Sequence, residues 1–130
     1  MTRFLIVAAG GGVGAALRYG VGLGLGRLLP GAAWPWGTFA VNGLGGLAMG
    51  LLVGWLARHS TGSGFSSEGT RLFMTIGLLG GFTTFSSFSL EMVLLAERGQ
   101  TGLAAVYAGT SILAGVAGLF AGLAIMRSVG

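Results

Sequence analysis

The side chains of this chain that could do chemistry lie in apolar surroundings. The stretch GGFTTFSSF, residues 80–88, carries two adjacent glycines, four hydroxyls and a phenylalanine at every third position. Gly80-Gly81 followed by Thr83-Thr84 is expected to interrupt a helical ladder near residues 80–84 and to free main-chain groups. Freed carbonyls can hold a cation, as carbonyl rings do in channel filters. Freed amides at the start of the resumed helix favour an anion. Phe85 and Phe88, three apart, share one face of that helix, and a phenylalanine ring is positive at its edge. Edges turned inward would touch an anion without adding a formal charge.

Further polar positions fall inside apolar runs. Asn42, between Val41 and Gly43, has an amide that donates two hydrogen bonds and accepts others; its structural alternative is one interhelical bond. Tyr107 and Ser111 are four apart and share a helix face, with Thr110 beside them. Hydroxyls in membrane helices commonly bond back to the carbonyl four residues earlier instead. Arg18 could line a water-filled vestibule or hold an anion, or it could cap carbonyls at a helix contact, the role favoured here. Glu91, one turn beyond Phe88, is a vestibule or packing group whose role the sequence leaves open.

The elements that must position these residues are membrane spans. Hydrophobic residues make up 53% of the 130 residues and charged ones 8%, with seven basic and three acidic side chains; an ordinary soluble domain has about 25% charged residues. So few charges cannot coat a soluble core. A bilayer interior needs roughly 20 mostly apolar helical residues, and four segments meet that length: about 4–28, 34–57, 71–97 with the break near 80–84, and 101–126. Pro30 and Pro35 place the start of the second helix near Trp34. Trp34, Trp36 and Trp55 lie near the ends of that span, where amphipathic rings favour the headgroup level. The apolar run after Arg3 is longer than a typical signal segment and is followed by no small-residue cleavage site, so it reads as a retained first helix. The fold class expected is an all-α membrane protein of one domain, residues 1–130, with its third helix broken.

RHSTGSGFSSEGTR, residues 58–71, reads as the longest surface loop. Four spans put it on the same side as both termini. That side then holds Arg3, Arg58, Arg71 and Arg127 and the other Arg27 and Arg98, a small bias that weakly favours cytoplasmic termini and suits insertion in either orientation. Glycine is abundant, at 28 residues. GGGVG (10–14), GLGLG (22–26) and GLGGLAMG (43–50) set small residues at helical spacing, which lets helix backbones approach in lipid. Four short helices bury little interior of their own, so oligomerisation is expected.

The sequence pI of about 11.3 rests on scattered arginines without a basic cluster, which argues against a nucleic-acid partner. With no cysteine, one histidine (His59, at a loop edge) and no acid–base pair at a plausible spacing, an enzyme is not expected.

The motif at 80–88 resembles the signature of the Fluc (CrcB-type) fluoride channels, Gly-Gly-x-Thr-Thr-Phe-Ser-Thr-Phe, with Ser87 in place of Thr. The likeness extends over the whole chain, through GAALRY (14–19) and WPWGTFAVN (34–42). It implies a passive, fluoride-selective channel exporting cytoplasmic fluoride across a bacterial or archaeal plasma (inner) membrane, and hence fluoride resistance. It also implies an antiparallel, dual-topology homodimer with two pores. By the resemblance, main-chain carbonyls of Gly80 and Thr83 would hold a central structural Na⁺ at the dimer interface. Phe85 and Phe88 would line the pore, Asn42 would donate to the anion, and Tyr107 and Ser111 would form a fourth-helix polar track. By the resemblance that track often continues with another Ser one turn on, where this chain has Gly115.

Two other readings compete. Small multidrug-resistance-type transporters are also four-helix, dual-topology dimers, but they need a carboxylate early in the first helix, where this chain has Arg18. A non-transporting membrane assembly protein would rest on glycine packing alone and would not need Asn42, the break and the aromatic pair together.

Overall fold

The computed structural model describes residues 1–59 and 68–130; most of the polar stretch 58–71 therefore lies outside the described residues. The described residues form α1 (Thr2–Leu28), α2 (Trp36–His59), a composite third span and α6 (Thr101–Ser128). The third span runs through α3 (Glu68–Arg71), a π-helical segment (Leu72–Leu79), α4 (Gly80–Phe82) and α5 (Phe85–Glu97). Four helical stretches are long and apolar enough to cross a membrane, the third being Glu68–Glu97 taken as one bent helix. Both ends of the chain meet the α2–α3 side of the bundle: Arg3 pairs with Glu68 at 2.9 Å, and the Arg58 guanidinium donates to the Met126 carbonyl near the end of α6.

α2 begins one residue after Pro35, with Pro35 supplying the carbonyl for the Phe39 N–H at 3.0 Å. A proline there is already set near helical φ and lacks only an N–H that would have no partner at a helix start. Trp34 thus stays outside the helix. It packs edge-on against Phe39 and Tyr107, with ring centroids 5.5 and 5.4 Å apart. Trp55 stacks on His59 at 4.7 Å.

The interior is thin. Its fully buried large side chains are Val41 and Tyr107, while Phe4, Leu113 and Phe120 are exposed along with many other apolar residues. In water such a surface would aggregate; in hydrocarbon it costs nothing, and cohesion comes from close helix packing instead. Glycines supply it. A Cβ on Gly10 would lie 2.6 Å from the Phe73 carbonyl oxygen, and one on Gly14 would overlap that of Leu78. From the other side, a Cβ on Gly81 would lie 2.5 Å from the Gly11 carbonyl oxygen. Gly46, Gly50 and Gly54, four apart along α2, likewise admit the α6 backbone or Met126. The run 22–26 differs: a Cβ on Gly22, Gly24 or Gly26 would meet nothing within 4 Å.

A pair of substitutions reads out this packing. Gly14→Ala must push α1 off the third span and is expected to destabilise by about 3 kcal/mol, the upper range for overpacking. Gly12, whose Cβ would meet nothing within 4 Å, should tolerate Ala or gain up to about 1 kcal/mol of helix propensity. Thermal unfolding in detergent distinguishes them, and equal midpoints for the two variants would refute the packing argument.

Candidate functional site

The third span breaks at the threonines. Gly80 has helical torsions (φ −63°, ψ −38°), whereas Thr83 (φ −80°, ψ 157°) and Thr84 (φ −151°, ψ 121°) are extended. The interruption thus falls within the expected residues 80–84, at the threonines and not at the glycine pair. Gly81 is small because α1 passes against it, and the interruption begins two residues later.

Several of the main-chain groups that the break releases find other partners. The Thr84 N–H, which a continuous helix would turn onto the Gly80 carbonyl, donates instead to Asn42 Oδ1 at 2.8 Å. The Ser87 N–H, which would have met the Thr83 carbonyl, donates to the Thr84 hydroxyl at 3.2 Å. Thr84 is therefore the N-cap of α5, the use for which a short hydroxyl side chain is suited. Asn42 Nδ2 donates back to the Thr84 carbonyl at 3.0 Å, so one amide holds both main-chain groups of Thr84. Arg18 Nε donates to the Gly81 carbonyl at 3.2 Å. The Gly80 and Thr83 carbonyls are thus left without their helical donors. Among the described residues no group of three His, Cys, Asp or Glu side chains gathers as a metal site, so a cation held here would be held by main-chain oxygens.

Two clefts flank the break. One, of about 270 Å³, is lined by Asn42, Thr83, Thr84, Phe85, Phe88 and Ser111. The structure thus brings together four of the five side chains expected along an ion pathway. Phe85 is 80% exposed and Phe88 8%, with ring centroids 5.9 Å apart. The Ser111 hydroxyl is buried and has no hydrogen-bond partner among the described residues, a state it shares with the Trp34 indole N–H. Asn42 Nδ2 has a second hydrogen beyond the one given to Thr84. The other cleft, about 440 Å³, is lined by Arg18, Trp34, Thr38, Thr84, Ser87 and Glu91. Thr84 forms part of both walls.

The fifth residue, Tyr107, lies behind Phe88, with ring centroids 5.3 Å apart. Its hydroxyl donates to Glu91 Oε2 at 2.8 Å, and Glu91 Oε1 accepts from the Thr38 hydroxyl at 2.8 Å. Thr110 bonds back to the Val106 carbonyl at 2.6 Å and does not reach the cleft. Gly115 lies in a groove with Asn42, Gly46 and Ser111, where a Cβ would come no closer than 3.9 Å to the Asn42 carbonyl oxygen. A Cβ at this position would therefore meet only ordinary van der Waals contact.

Three features of the site escape a reading of the sequence. Thr38 stands out there only as part of a longer motif, although a carboxylate set in a membrane span must find donors, and a search for hydroxyls on neighbouring spans would reach it. The pairing of Asn42 with Thr84 joins two residues that are conspicuous singly, but their contact needs the helix crossing. The π-helical segment, eight residues long, has no signal in its apolar sequence; such segments recur beside functional sites.

The family described as CrcB-like protein, Camphor Resistance (CrcB), matches residues 5–123. A protein of Novosphingobium aromaticivorans named fluoride-specific ion channel FluC is 55% identical over 130 residues, covering 99% of each chain. Proteins of the same name from Hyphomonas neptunium and Caulobacter vibrioides are 54% and 49% identical over 129 residues, covering 99% of this chain and 98% of their own. With four spans, a broken third helix and this extent of likeness, the chain is an integral membrane protein that belongs to the CrcB-like family.

Proposed function

We propose that this chain is a fluoride-selective, passive channel that exports cytoplasmic fluoride across the plasma (inner) membrane, working as a homodimer of oppositely oriented copies. The observation that carries the reading is the cleft at the break, where a buried, unpartnered Ser111 hydroxyl, the spare Asn42 hydrogen and the Phe85 and Phe88 rings converge. It is supported by relatives named as fluoride-specific channels. Fluoride is small and tightly hydrated, so a pore must replace strong hydrogen bonds as water is lost. Neutral donors and ring edges do this without trapping the ion, which lets it leave again. Chloride, larger and softer, gains less from the same hard donors.

A central Na⁺ fits the residues present. The Gly80 and Thr83 carbonyls have lost their helical donors to Asn42 and Thr84, and hard oxygen ligands suit a hard cation. Bound there, the ion would supply positive potential beside the anion path. Gly80 is exposed in the single chain, as a site shared with a second copy requires. Phe85, 80% exposed, would also be covered in such a pair.

The test is fluoride release from liposomes carrying the pure protein, read by a fluoride electrode. Rapid efflux that requires valinomycin as counter-current is expected, with chloride released far more slowly. Efflux indifferent to the ionophore would mean a coupled carrier, and none at all a structural protein; either would overturn the channel reading.

A further inference from the structure

Glu91 is a carboxylate within the third span whose two oxygens each accept one hydroxyl: Thr38 from α2 at 2.8 Å and Tyr107 from α6 at 2.8 Å. Arg18, the cation on the opposite wall of the same cleft, is engaged with the Gly81 carbonyl. The ion pair found among the described residues is Arg3–Glu68, so Glu91 is satisfied by hydroxyls and not by a cation. Tyr107 in turn packs on Phe88, which lines the cleft at the break, with ring centroids 5.3 Å apart. Tyr107 thus stands between the cleft at the break, behind Phe88, and the Glu91 carboxylate.

We infer that Glu91 acts as a resident anion that holds the Tyr107 hydroxyl away from the transported ion and thereby sets how tightly the pathway binds it. The inference rests on the channel reading and makes Glu91 a positioning residue acting through Tyr107. A hydroxyl proton serves one acceptor at a time. Hydrogen bonds to an ionised acceptor are about twice as strong as neutral ones, so a carboxylate competes with an arriving anion on equal terms. Weakened donors keep binding shallow, and shallow binding lets an ion pass through. Replacing the carboxylate by an amide removes the charge while keeping the size, and frees Tyr107 to turn toward the cleft.

The measurement is the half-saturating fluoride concentration for liposome efflux in wild type, Glu91→Gln, Tyr107→Phe and the double variant. Glu91→Gln is expected to lower it by about tenfold, the scale of one hydrogen bond to a charged group. In the Tyr107→Phe background the same change should move it less than about twofold, because coupled residues depart from additivity. An unchanged value in Glu91→Gln, or an equal change in both backgrounds, overturns the inference. If Glu91→Gln does not fold, Thr38→Ala gives the opposite reading. With Thr38 gone the carboxylate leans wholly on Tyr107, so the half-saturating concentration should rise, and no rise refutes the inference. Absence of efflux in wild type would sink the channel reading and this inference together, whereas a conducting wild type with unmoved variants sinks the inference alone.

Discussion

Replacing Asn42 by Ala is expected to destabilise the protein by roughly 3 kcal/mol or more and to abolish fluoride efflux. The amide makes two hydrogen bonds to one residue, accepting from the Thr84 N–H and donating to its carbonyl. Without it the Thr84 N–H has no helical acceptor, since Thr83 and Thr84 are extended at the break. A buried main-chain group left unpaired costs about 1–3 kcal/mol in a protein interior, and several where no water can reach it. Relaxation toward a continuous helix would re-pair that N–H with the Gly80 carbonyl, at the expense of the cleft and of the carbonyl pair. Either route removes the site. Thermal unfolding in detergent and liposome efflux, measured on the same preparation, check both halves. Asn42→Asp separates them: it keeps the acceptor for the Thr84 N–H and, ionised, sets a negative charge where an anion must pass. It should therefore retain more stability than Ala yet conduct no better. Wild-type efflux from Asn42→Ala would mean that the break is held by something other than this amide.

Phe85→Ile is the complementary case, with a large effect on function and little on folding. Phe85 is 80% exposed in the single chain, so the change should shift the folding of each copy by no more than about 0.5 kcal/mol, and isoleucine keeps an apolar side chain where the proposed second copy would cover it. What isoleucine removes is the positive ring edge, not the bulk. An edge contact is worth up to about 1.5 kcal/mol, and about 1.4 kcal/mol is tenfold in rate, so efflux should fall by up to about tenfold while each copy keeps its fold. Phe88 makes a poorer probe. It is buried against Tyr107, and reshaping it would mix a packing cost of about 1–3 kcal/mol with any loss of ion contact. Undiminished efflux through Phe85→Ile would remove the aromatic edges from the pathway and leave the hydroxyls and Asn42 to carry it.

Much of this protein is legible in the order of its residues. Four spans follow from length and apolarity alone, because hydrocarbon tolerates a helix only when its surface is apolar. A helix interruption near residues 80–84 follows from glycines and threonines in a span that otherwise has no reason to carry them. Asn42, Phe85, Phe88 and Ser111 stand out because polar or patterned residues are costly in lipid, and they gather at one cleft.

The tertiary structure decided what those residues are for. Sequence places the break within residues 80–84, across the glycine pair and the threonines, without saying which of them carry it. In the bundle Gly81 is a contact surface for Gly11, and Thr83 and Thr84 carry the extended torsions because Asn42 is there to receive them. Glu91 has no assignable role until α2 and α6 bring Thr38 and Tyr107 to its two oxygens. Arg18 reads in the sequence as a cap on carbonyls at a helix contact, but the carbonyl it meets, that of Gly81, lies 63 residues away along the chain. The physical reason is common to all three. Local sequence determines which groups cannot remain in lipid unpaired, and only the crossing of helices distant along the chain determines which partner each one finds.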